Sequence, residues 1–587
     1  MENKRLDNLR NNMRKNGIDL YYLNTTDYHM SEYVPEYFKT IRYFSNFSGS
    51  LATLLVSLND AHIFVDGRYH IQADSQCPKY GVIVEKLGLK DVLEPIDFIK
   101  KYYAGKVVGI DGKRTSTSFG KQLEKAGVKI KSIDIYSDLI EDRPALGKDE
   151  IYELDIKYTG LSRAKKIQLV KYCLADKTHV VSNLESIAYI LNLRSNDIKY
   201  TPVFMSYLVV TEKKVYLFAD QRRLKEKTRT DLLEDGVKIL PYDSFYEFLD
   251  NINNQVITLD ENKINYEVYK KLSLRNNTII NERSLIEEMK AIKNPIEQNN
   301  AKLAHIYDGI AFVRFLMWLD KQDKKQLNEY QVAQKIDEFR LNHRAFDLSF
   351  NSIVSYNENA AINHYSPEKD NSKQLDNSGI LLLDTGGQYM CGTTDITRTI
   401  ALGKVDDKIK KAFTLVLKSM FNLSELKFIH GLTGNQIDII ARKDLWAEGW
   451  DYRHGTGHGV GHILSVHEAP PNIRYMHTEA RAEDAVLENG MIFSDEPGVY
   501  FDNKFGIRCE NLLLCVRDYE NDFGQFMKFE TLTLVPFDIN LIDKKYLDEK
   551  TIDVLNNYHE RVYKILSPYL NEEEKNYLKG LTRAIWK

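Results

Sequence analysis

Two segments of the chain share one pattern, and this repeat constrains the fold more than any other feature. One segment runs from Leu54 to Asp66 and the other from Leu208 to Asp220, and the two align without a gap. Each has an apolar run, a polar turn, a second apolar run and then Asp-x-Arg, which is typical of a hairpin that leads into a helix. Unrelated hairpins can also produce a match of this length. The repeat predicts two similar domains in tandem, each of roughly 150 residues.

The composition is that of a folded protein with no strong charge bias. The chain has 587 residues, 43% of them hydrophobic and 28% charged, with a formal net charge of −4. This length requires several domains, and the charge offers no basic field for nucleic acid. The five cysteines include no CxxC pair, so neither a disulfide framework nor a structural zinc site is indicated. Residues 1–20 are polar and no apolar run approaches about eighteen residues, so we expect a cytoplasmic protein without a membrane partner.

The pattern changes beyond residue 284. Apolar residues there recur at spacings of three and four, which predicts helices, and Pro295 should divide them. Apolar runs between turns in 350–537 predict an α+β domain of antiparallel strands, with a helical segment at 408–448. The charged tail at 541–587 is helical in pattern and should pack as an appendage without a site.

Two pairs of acidic residues lie where strands favour apolar side chains. Asp384 ends the run GILLLD, and Asp395 follows in GTTDITRT on the expected neighbouring strand. Glu496 in MIFSDEPGVY and Glu510 in FGIRCENLLL form the second pair. Burying a carboxylate without a partner is costly, so a cation is the natural partner. A strand end beside a turn also carries aspartate for structural reasons, which leaves the first pair ambiguous by itself.

A histidine cluster lies between these pairs. Four of the chain's 14 histidines fall within RHGTGHGVGHILSVHEAP, namely His454, His458, His462 and His467. The glycines do not form a GxxxxGK[ST] or GxGxxG pattern, which argues against a phosphate loop. Glycine on both sides of a histidine removes side-chain bulk and should let the imidazole reach an open site. Histidine acts as a neutral metal ligand or as a proton shuttle, and both roles stay open here.

These residues together predict a metal centre. The set has four carboxylates and one imidazole: Asp384, Asp395, His458, Glu496 and Glu510. Such oxygen-rich donors suit Mn²⁺, Co²⁺ or Zn²⁺ and differ from a thiolate zinc site. Two divalent ions would balance four carboxylates, whereas one ion would leave about two negative charges buried. Two ions about 3.5–4 Å apart can generate hydroxide at neutral pH and stabilise a tetrahedral intermediate.

The sequence also resembles a known family. The four motif blocks of the metallopeptidase family M24, which has the pita-bread fold, are similar to LLLDTGGQYMCGTTDITRT, HGTGHGVGHILSVHE, SDEPGVY and GIRCEN. The long, three-domain cytosolic aminopeptidase P (Xaa-Pro aminopeptidase) group is most similar, and its two N-terminal domains resemble FVDGRYHIQA and SIAYILNLRSNDIKYTPVFMSYLVV. The resemblance implies tandem creatinase-like α/β domains at 1–145 and 146–283, a pita-bread catalytic domain at 284–540 and a helical C-terminal extension at 541–587.

The resemblance implies a metal-dependent aminopeptidase that releases the N-terminal residue from peptides with proline at the second position. Asp384 would bind one metal ion bidentately, and Asp395 and Glu510 would bridge two ions. His458 and Glu496 would each complete the shell of one ion, and Mn²⁺ is the ion that such enzymes typically use. The bridging water or hydroxide would be the nucleophile, with Glu496 as its general base.

The resemblance also implies roles for five residues around the metals. His364 in INHYSP would contact the substrate near the scissile bond. Of His454 and His467, one would line the proline pocket and one would lie near the scissile carbonyl. Either His467 or His364 would donate the proton or contact the oxyanion. Arg508 and Tyr500 would orient the metal-binding carboxylates. A homodimer is implied as well.

The chain departs from the family pattern at three places. Cys391 stands where aspartate is common, and we expect retained activity with some thiol sensitivity. His462 replaces a small residue and is expected at the surface or in packing. The stretch NIRYMHTEARAED at 472–484 is longer than usual and should form a rim loop. Two alternatives stay open: a prolidase that cleaves only Xaa-Pro dipeptides, and a non-catalytic pita-bread binding protein.

Overall fold

The first unit, Met1–Glu288, contains two six-stranded sheets with the same strand order and the same pattern of parallel and antiparallel neighbours. A computed structural model describes residues 3–475 and 485–586 of the chain. In space, the strands of the first sheet follow the order Ile83–Lys86, Ala61–Val65, Thr53–Ser57, Leu20–Asn24, Val107–Ile110 and Lys129–Ser132. Those of the second sheet follow the order Val237–Leu240, Val215–Phe218, Tyr207–Val210, Thr178–Val181, Val256–Leu259 and Thr278–Asn281. The predicted repeat is confirmed.

The repeated sequence forms the same hairpin in each sheet. Leu54 pairs with Ile63 in the first hairpin, and Leu208 pairs with Leu217 in the second, and all four side chains are buried. In both Asp-x-Arg segments the aspartate binds the guanidinium two residues later and caps the next turn. The longer helices that flank the two sheets are Lys4–Asn16, Pro95–Tyr103, Thr117–Lys125, Arg163–Leu174, Leu184–Leu191, Glu226–Glu234 and Tyr266–Ser273.

Helices surround the sheets of the second unit, Met289–Lys587. Pro295 separates the helix Leu285–Ala291 from Pro295–Asp320, as predicted, because proline is accepted at the first helical position but not inside a helix. The expected helical segment at 408–448 is two helices with a short strand between them. The remaining long helices of this unit are Glu329–Leu341, Asp407–Ser424, Gly434–Trp446, Glu549–Leu566 and Glu572–Leu581.

In the part of the second unit that the structure describes, the strands form four sheets. Two three-stranded sheets contain Ala345–Leu348, Gly387–Tyr389 and Gly392–Thr393, and Ile353–Tyr356, Ile380–Thr385 and Ile396–Ala401. A six-stranded sheet follows the order Lys427–Ile429, Gly524–Thr531, Asn511–Asn521, Ile492–Asp495, Gly457–Gly459 and Glu468–Ile473, and Gly498–Phe501 pairs with Phe505–Arg508. Buried aliphatic and aromatic side chains of the helices pack against these strands. Within the described ranges, every helix is too short or too polar to cross a membrane.

Candidate active site

The predicted ligands lie at strand ends that converge in the second unit. Asp384 lies opposite Thr397 on antiparallel strands, and Asp395 directly precedes the second of these strands. His458 is the middle residue of Gly457–Gly459, and Glu496 follows the neighbouring strand Ile492–Asp495. Glu510 lies between the strands Phe505–Arg508 and Asn511–Asn521. Chain topology therefore brings residues from four separate motifs to one place.

Distances show how closely the cluster is drawn together. Asp395, His458 and Glu510 each offer a ligand atom that lies within 4.8 Å of the other two. The Nε2 atom of His458 lies 3.5 Å from Asp395 Oδ2 and 3.5 Å from Glu496 Oε1. Asp384, Asp395 and Glu510 are all more than nine-tenths buried. Their spacing is that of a site where oxygen and nitrogen donors face a common centre.

Asp384 joins the cluster through Arg508. Its Oδ2 accepts a hydrogen bond from Arg508 Nη2, and Arg508 Nε lies 4.0 Å from Glu496 Oε2. The second oxygen of Asp384, Oδ1, is buried and has no hydrogen-bond partner among the described residues. A carboxylate oxygen left in this state is costly in a protein interior. A divalent cation would satisfy it, so the cluster fits the predicted metal ions.

His458 is oriented as a metal ligand. Its Nδ1 lies 2.9 Å from the carbonyl oxygen of Gly459, which accepts the Nδ1 proton and leaves Nε2 facing the carboxylates. Burial opposes a charge on this ring, but Asp395 and Glu496 outweigh it and raise the pKa of His458 to about 9. The imidazole must be neutral to bind a metal ion, so binding displaces a proton and weakens as the pH falls.

Asp384, Glu496 and Glu510 hold protons more tightly than free side chains do, because their pKa values are raised. Burial raises the pKa of Glu496 to about 7, with Asp395 and Asp384 adding to the effect and His458 opposing it. Burial and the neighbouring carboxylates also raise the pKa of Asp384 and Glu510. Like charges brought together in a buried site repel each other, and bound divalent cations would relieve this repulsion.

The glycines around His458 allow close approach between strands. A Cβ at Gly457 would lie 1.9 Å from the carbonyl oxygen of Ser494, and a Cβ at Gly459 would lie 2.3 Å from that of Glu468. Backbone atoms cannot move aside as a flexible side chain can. The sequence predicts that these glycines clear space for the imidazole. In the structure they instead let three neighbouring strands pack together.

Three further histidines surround the cluster. The ring of His467 lies 4.4 Å from that of His458, centroid to centroid. His454 Nε2 lies 2.8 Å from the hydroxyl of Tyr500, and its Nδ1 lies 2.8 Å from Gly455 O. Burial is the main cause that lowers the pKa of His454, and the neighbouring His364 adds to it, so a neutral ring is favoured. The individual roles of these histidines stay predictions.

Arg508 and Tyr500 connect the histidines to the carboxylates. Arg508 Nη1 donates a hydrogen bond of 2.8 Å to the Tyr500 hydroxyl, which leaves the Tyr500 proton for His454 Nε2. Arg508 Nε donates to Thr397 Oγ1 at 3.2 Å, and Thr397 in turn donates to Glu510 Oε2 at 2.8 Å. One guanidinium thus touches Asp384 directly and Glu510 through Thr397.

Several supporting residues could not be recognised from the sequence. Thr397 is one, and Ser494, which donates to Glu496 Oε1 at 3.2 Å and accepts from His458 N at 2.9 Å, is another. Arg398 is a third: it donates to the backbone oxygen of Glu510 and, at 3.0 Å, to the hydroxyl of Tyr558. Tyr558 belongs to the helix Glu549–Leu566 of the C-terminal tail, so the tail supports the site and is more than an appendage.

The three departures have distinct placements. Cys391 is buried, and burial raises the pKa of its thiol to about 12, which argues against the expected thiol sensitivity. His462 is also buried, which favours packing over a surface position. Asn472 and Ile473 end a strand, but 476–484, most of the expected rim loop, lies outside the described residues.

Four family models match successive parts of this chain. The Creatinase/Prolidase N-terminal domain matches at 5–143 and again at 142–297, metallopeptidase family M24 at 299–517, and the C-terminal region of peptidase M24 at 525–585. A probable Xaa-Pro aminopeptidase P from Laccaria bicolor is 36% identical over 99% of this chain and 92% of its own. This chain belongs to metallopeptidase family M24. Xaa-Pro aminopeptidase 1 of Dictyostelium discoideum, another relative, is 35% identical over 99% of this chain and 96% of its own.

A solved structure extends the M24 comparison to the whole fold. The crystal structure of X-prolyl aminopeptidase from Caenorhabditis elegans, described as a cytosolic enzyme with a di-nuclear active site, has a TM-score of 0.93 and is 32% identical, covering 99% of both chains. The predicted fold class, with two creatinase-like domains before an M24 catalytic domain and a C-terminal region, is confirmed. The bounds of the four domains stay predictions.

Proposed function

We propose that this chain is a metal-dependent aminopeptidase that releases the N-terminal residue from peptides whose second residue is proline. One observation carries the proposal: four carboxylates and His458 converge beside further histidines, in a chain similar to Xaa-Pro aminopeptidases over 99% of its length. Each of the five side chains that the family resemblance makes a ligand is present. A non-catalytic relative of this fold would be expected to lose some of them.

The substrate explains why such a site is needed. An Xaa-Pro bond is a tertiary amide without an N–H, and the pyrrolidine ring fixes the backbone dihedral, so a peptidase that grips the amide hydrogen has nothing to hold. The enzyme must instead polarise the carbonyl and supply a proton to the departing secondary amine. This chain offers carboxylates for proton acceptance and several partly buried histidines for the other tasks.

We assign the metal positions to Asp384, Asp395, His458, Glu496 and Glu510. Two bound divalent cations, Mn²⁺ in our proposal, would supply Lewis acidity and lower the pKa of a water at neutral pH. Balancing four carboxylates with two divalent ions leaves out Arg508, which adds one positive charge to the buried cluster.

The remaining assignments concern what the side chains themselves do. We assign Glu496 to accept the proton of the attacking water, and its two oxygens lie 3.5 Å from His458 Nε2 and 4.0 Å from Arg508 Nε. His467 or His364 donates to the leaving amine or contacts the oxyanion. His454 and Arg508 both contact the Tyr500 hydroxyl, and we assign His454 to the lining of the proline pocket.

Localisation and assembly follow from similarity. We propose a cytoplasmic protein, supported by the Caenorhabditis elegans enzyme, which is described as cytosolic. We also propose a homodimer, from the family resemblance. Light scattering after size-exclusion chromatography should give a mass of about twice 68.2 kDa.

The specificity is tested with two substrates of matched sequence. We expect an Xaa-Pro-Xaa tripeptide to be cleaved after its first residue, and faster than the corresponding Xaa-Pro dipeptide, when Mn²⁺ is present. Mass spectrometry of the products identifies the bond that breaks. Markedly faster cleavage of the dipeptide would identify a prolidase instead, and no cleavage of either peptide by metal-loaded protein would favour a binding role.

Tyr500→Phe tests the connection between Arg508 and His454. Removal of the hydroxyl leaves Arg508 Nη1 and His454 Nε2 without their shared partner. We expect kcat/KM for the tripeptide to fall about 10-fold, with bound metal retained, since supporting groups of this kind typically contribute 10- to 100-fold. Tyr569→Phe, at a residue that is 53% exposed, is the matched control and should leave kcat/KM unchanged. Equal activities of the two variants would contradict the proposed link.

A further inference from the structure

One buried side chain closes the loop that carries His364. Glu329 is the first residue of the helix Glu329–Leu341, and its side chain is fully buried. Its Oε1 accepts a hydrogen bond of 2.7 Å from the Tyr356 N–H, and its Oε2 accepts one of 2.8 Å from the Lys373 N–H. Tyr356 and Lys373 stand at the two ends of the loop 356–373. A single carboxylate therefore ties both ends together.

The same carboxylate also holds the middle of the loop. Asn359 Nδ2 donates to both oxygens of Glu329, at 2.9 and 3.1 Å. The hydroxyl of Tyr365 donates to Oε2 at 2.6 Å, and Tyr365 is the residue directly after His364. The ring of Tyr365 packs against a small apolar cluster. Four donors from one loop therefore converge on Glu329.

Hydrogen-bond donors, and not a cation, balance the charge of Glu329. Among residues 3–475 and 485–586 it forms no ion pair, and the ammonium group of Lys373 binds Glu358 instead. Hydrogen bonds to an ionised acceptor are about twice as strong as neutral ones, and the first turn of a helix favours negative charge. A side-chain amide at this position would direct its own N–H groups at backbone N–H donors. The loop position therefore depends on a carboxylate.

The loop packs directly against the site. A Cβ at Gly506 would come within 1.9 Å of the carbonyl oxygen of Ala360, so the loop backbone rests on the strand that ends in Arg508. His364 lies near enough to His454 for its charge to act on the pKa of that ring, after the larger effect of burial. A shift of the loop would move His364 relative to both Arg508 and His454.

We propose that Glu329 is a positioning residue that holds His364 in place for the substrate. It does not touch the reacting atoms and acts only through the loop. The inference rests on the proposed function, because the substrate contact of His364 comes from the family resemblance. It adds a residue outside the four motif blocks to the set on which catalysis depends.

Glu329→Gln is the direct test, because glutamine keeps the shape of the side chain and replaces one of its two acceptor oxygens with an NH2 group. We expect kcat/KM for an Xaa-Pro-Xaa tripeptide to fall about 10- to 100-fold, since a misplacement of about 1 Å can cost this much. The number of Mn²⁺ ions bound per chain should not change. Glu338→Gln is the matched control: Glu338 lies on the same helix, pairs at the surface with Lys335, and should keep wild-type activity.

A double-mutant cycle with His364→Ala separates positioning from a general structural role. In the His364→Ala background, Glu329→Gln should cost less than about threefold, because the residue it positions is already absent. Should Glu329→Gln fail to fold, Tyr365→Phe and Asn359→Ala each remove one donor; we expect a loss of about threefold in kcat/KM that also disappears in the His364→Ala background.

Three results would overturn the proposal while leaving the function intact. These are wild-type activity in folded Glu329→Gln, full additivity of its loss with that of His364→Ala, and wild-type activity in both donor variants. Absence of tripeptide cleavage by the metal-loaded wild-type protein would instead reject the proposed function itself.

Discussion

Glu496→Gln should abolish tripeptide hydrolysis, with a loss of about 10³-fold or more in kcat, while the protein stays folded. The amide of glutamine cannot accept the proton of the attacking water, which is the role we assign to Glu496. It also replaces one oxygen that could bind a metal ion. The fold should tolerate it, because burial raises the pKa of Glu496 to about 7 and a neutral amide of the same shape costs nothing further in charge burial. Steady-state kinetics with Mn²⁺ in excess and the melting temperature are the two measurements.

The matched control for this variant is Glu520→Gln. Glu520 is an exposed residue of the long strand Asn511–Asn521, and its substitution should change neither kcat nor the melting temperature. A Glu496→Gln protein with kcat within about tenfold of wild type would remove Glu496 from the role of general base, which contributes 10²- to 10⁴-fold in known cases.

Removal of metal ions should stop hydrolysis completely and reversibly. Protein treated with a chelator and then freed of it should show no tripeptide cleavage, and added Mn²⁺ should restore the original rate. Each bound ion should also stabilise the fold, by about 2.7 kcal/mol when the free metal concentration is about 100 times the Kd of its site. Activity that survives chelation would reject a metal-dependent mechanism.

The stabilisation by metal should grow as the pH rises. In the metal-free protein burial raises the pKa of Glu496 from 4.5 to about 7. Burial opposes the rise in the pKa of His458, but Asp395 and Glu496 outweigh it and raise that pKa from 6.5 to about 9. The folded state then binds more protons than the unfolded chain between about pH 4.5 and 9, so its free energy of unfolding falls as the pH rises through this window. Metal ions compete with those protons. The melting temperatures of loaded and chelated protein should therefore separate further at pH 8.5 than at pH 5.5, and a constant gap would contradict this account.

Local sequence patterns predicted the architecture wherever a single residue type or the spacing of apolar residues determines the secondary structure. The matching segments that begin at Leu54 and Leu208 predicted the two similar sheets, and Pro295 predicted the helix boundary. The five proposed ligand positions could be suggested from the sequence because acidic residues and histidine are costly inside apolar strands unless something binds them. Burial of Asp384, Asp395 and Glu510 in one cluster agrees with that reasoning.

Supporting contacts between distant segments could not be predicted in this way. Thr397 and Ser494 are ordinary strand residues, and only the pairing of strands shows that their hydroxyls reach Glu510 and Glu496. Glu329 begins a helix as many glutamates do, and its role depends on a loop whose far end follows 44 residues later. The tail gave no signal because Tyr558 acts through Arg398 and not on the metal site itself. Such contacts depend on tertiary packing, which a periodic pattern does not encode.

The central claim is that the buried cluster holds two divalent ions that the peptidase activity requires. The most direct measurement is elemental analysis of the purified protein during titration with Mn²⁺, with tripeptide cleavage followed in the same samples. We predict that activity reaches its maximum as binding approaches two ions per chain, and that Asp395→Asn, which alters an expected bridging ligand, fails to reach that number. Full activity with no bound metal, or with one ion per chain, would contradict the claim.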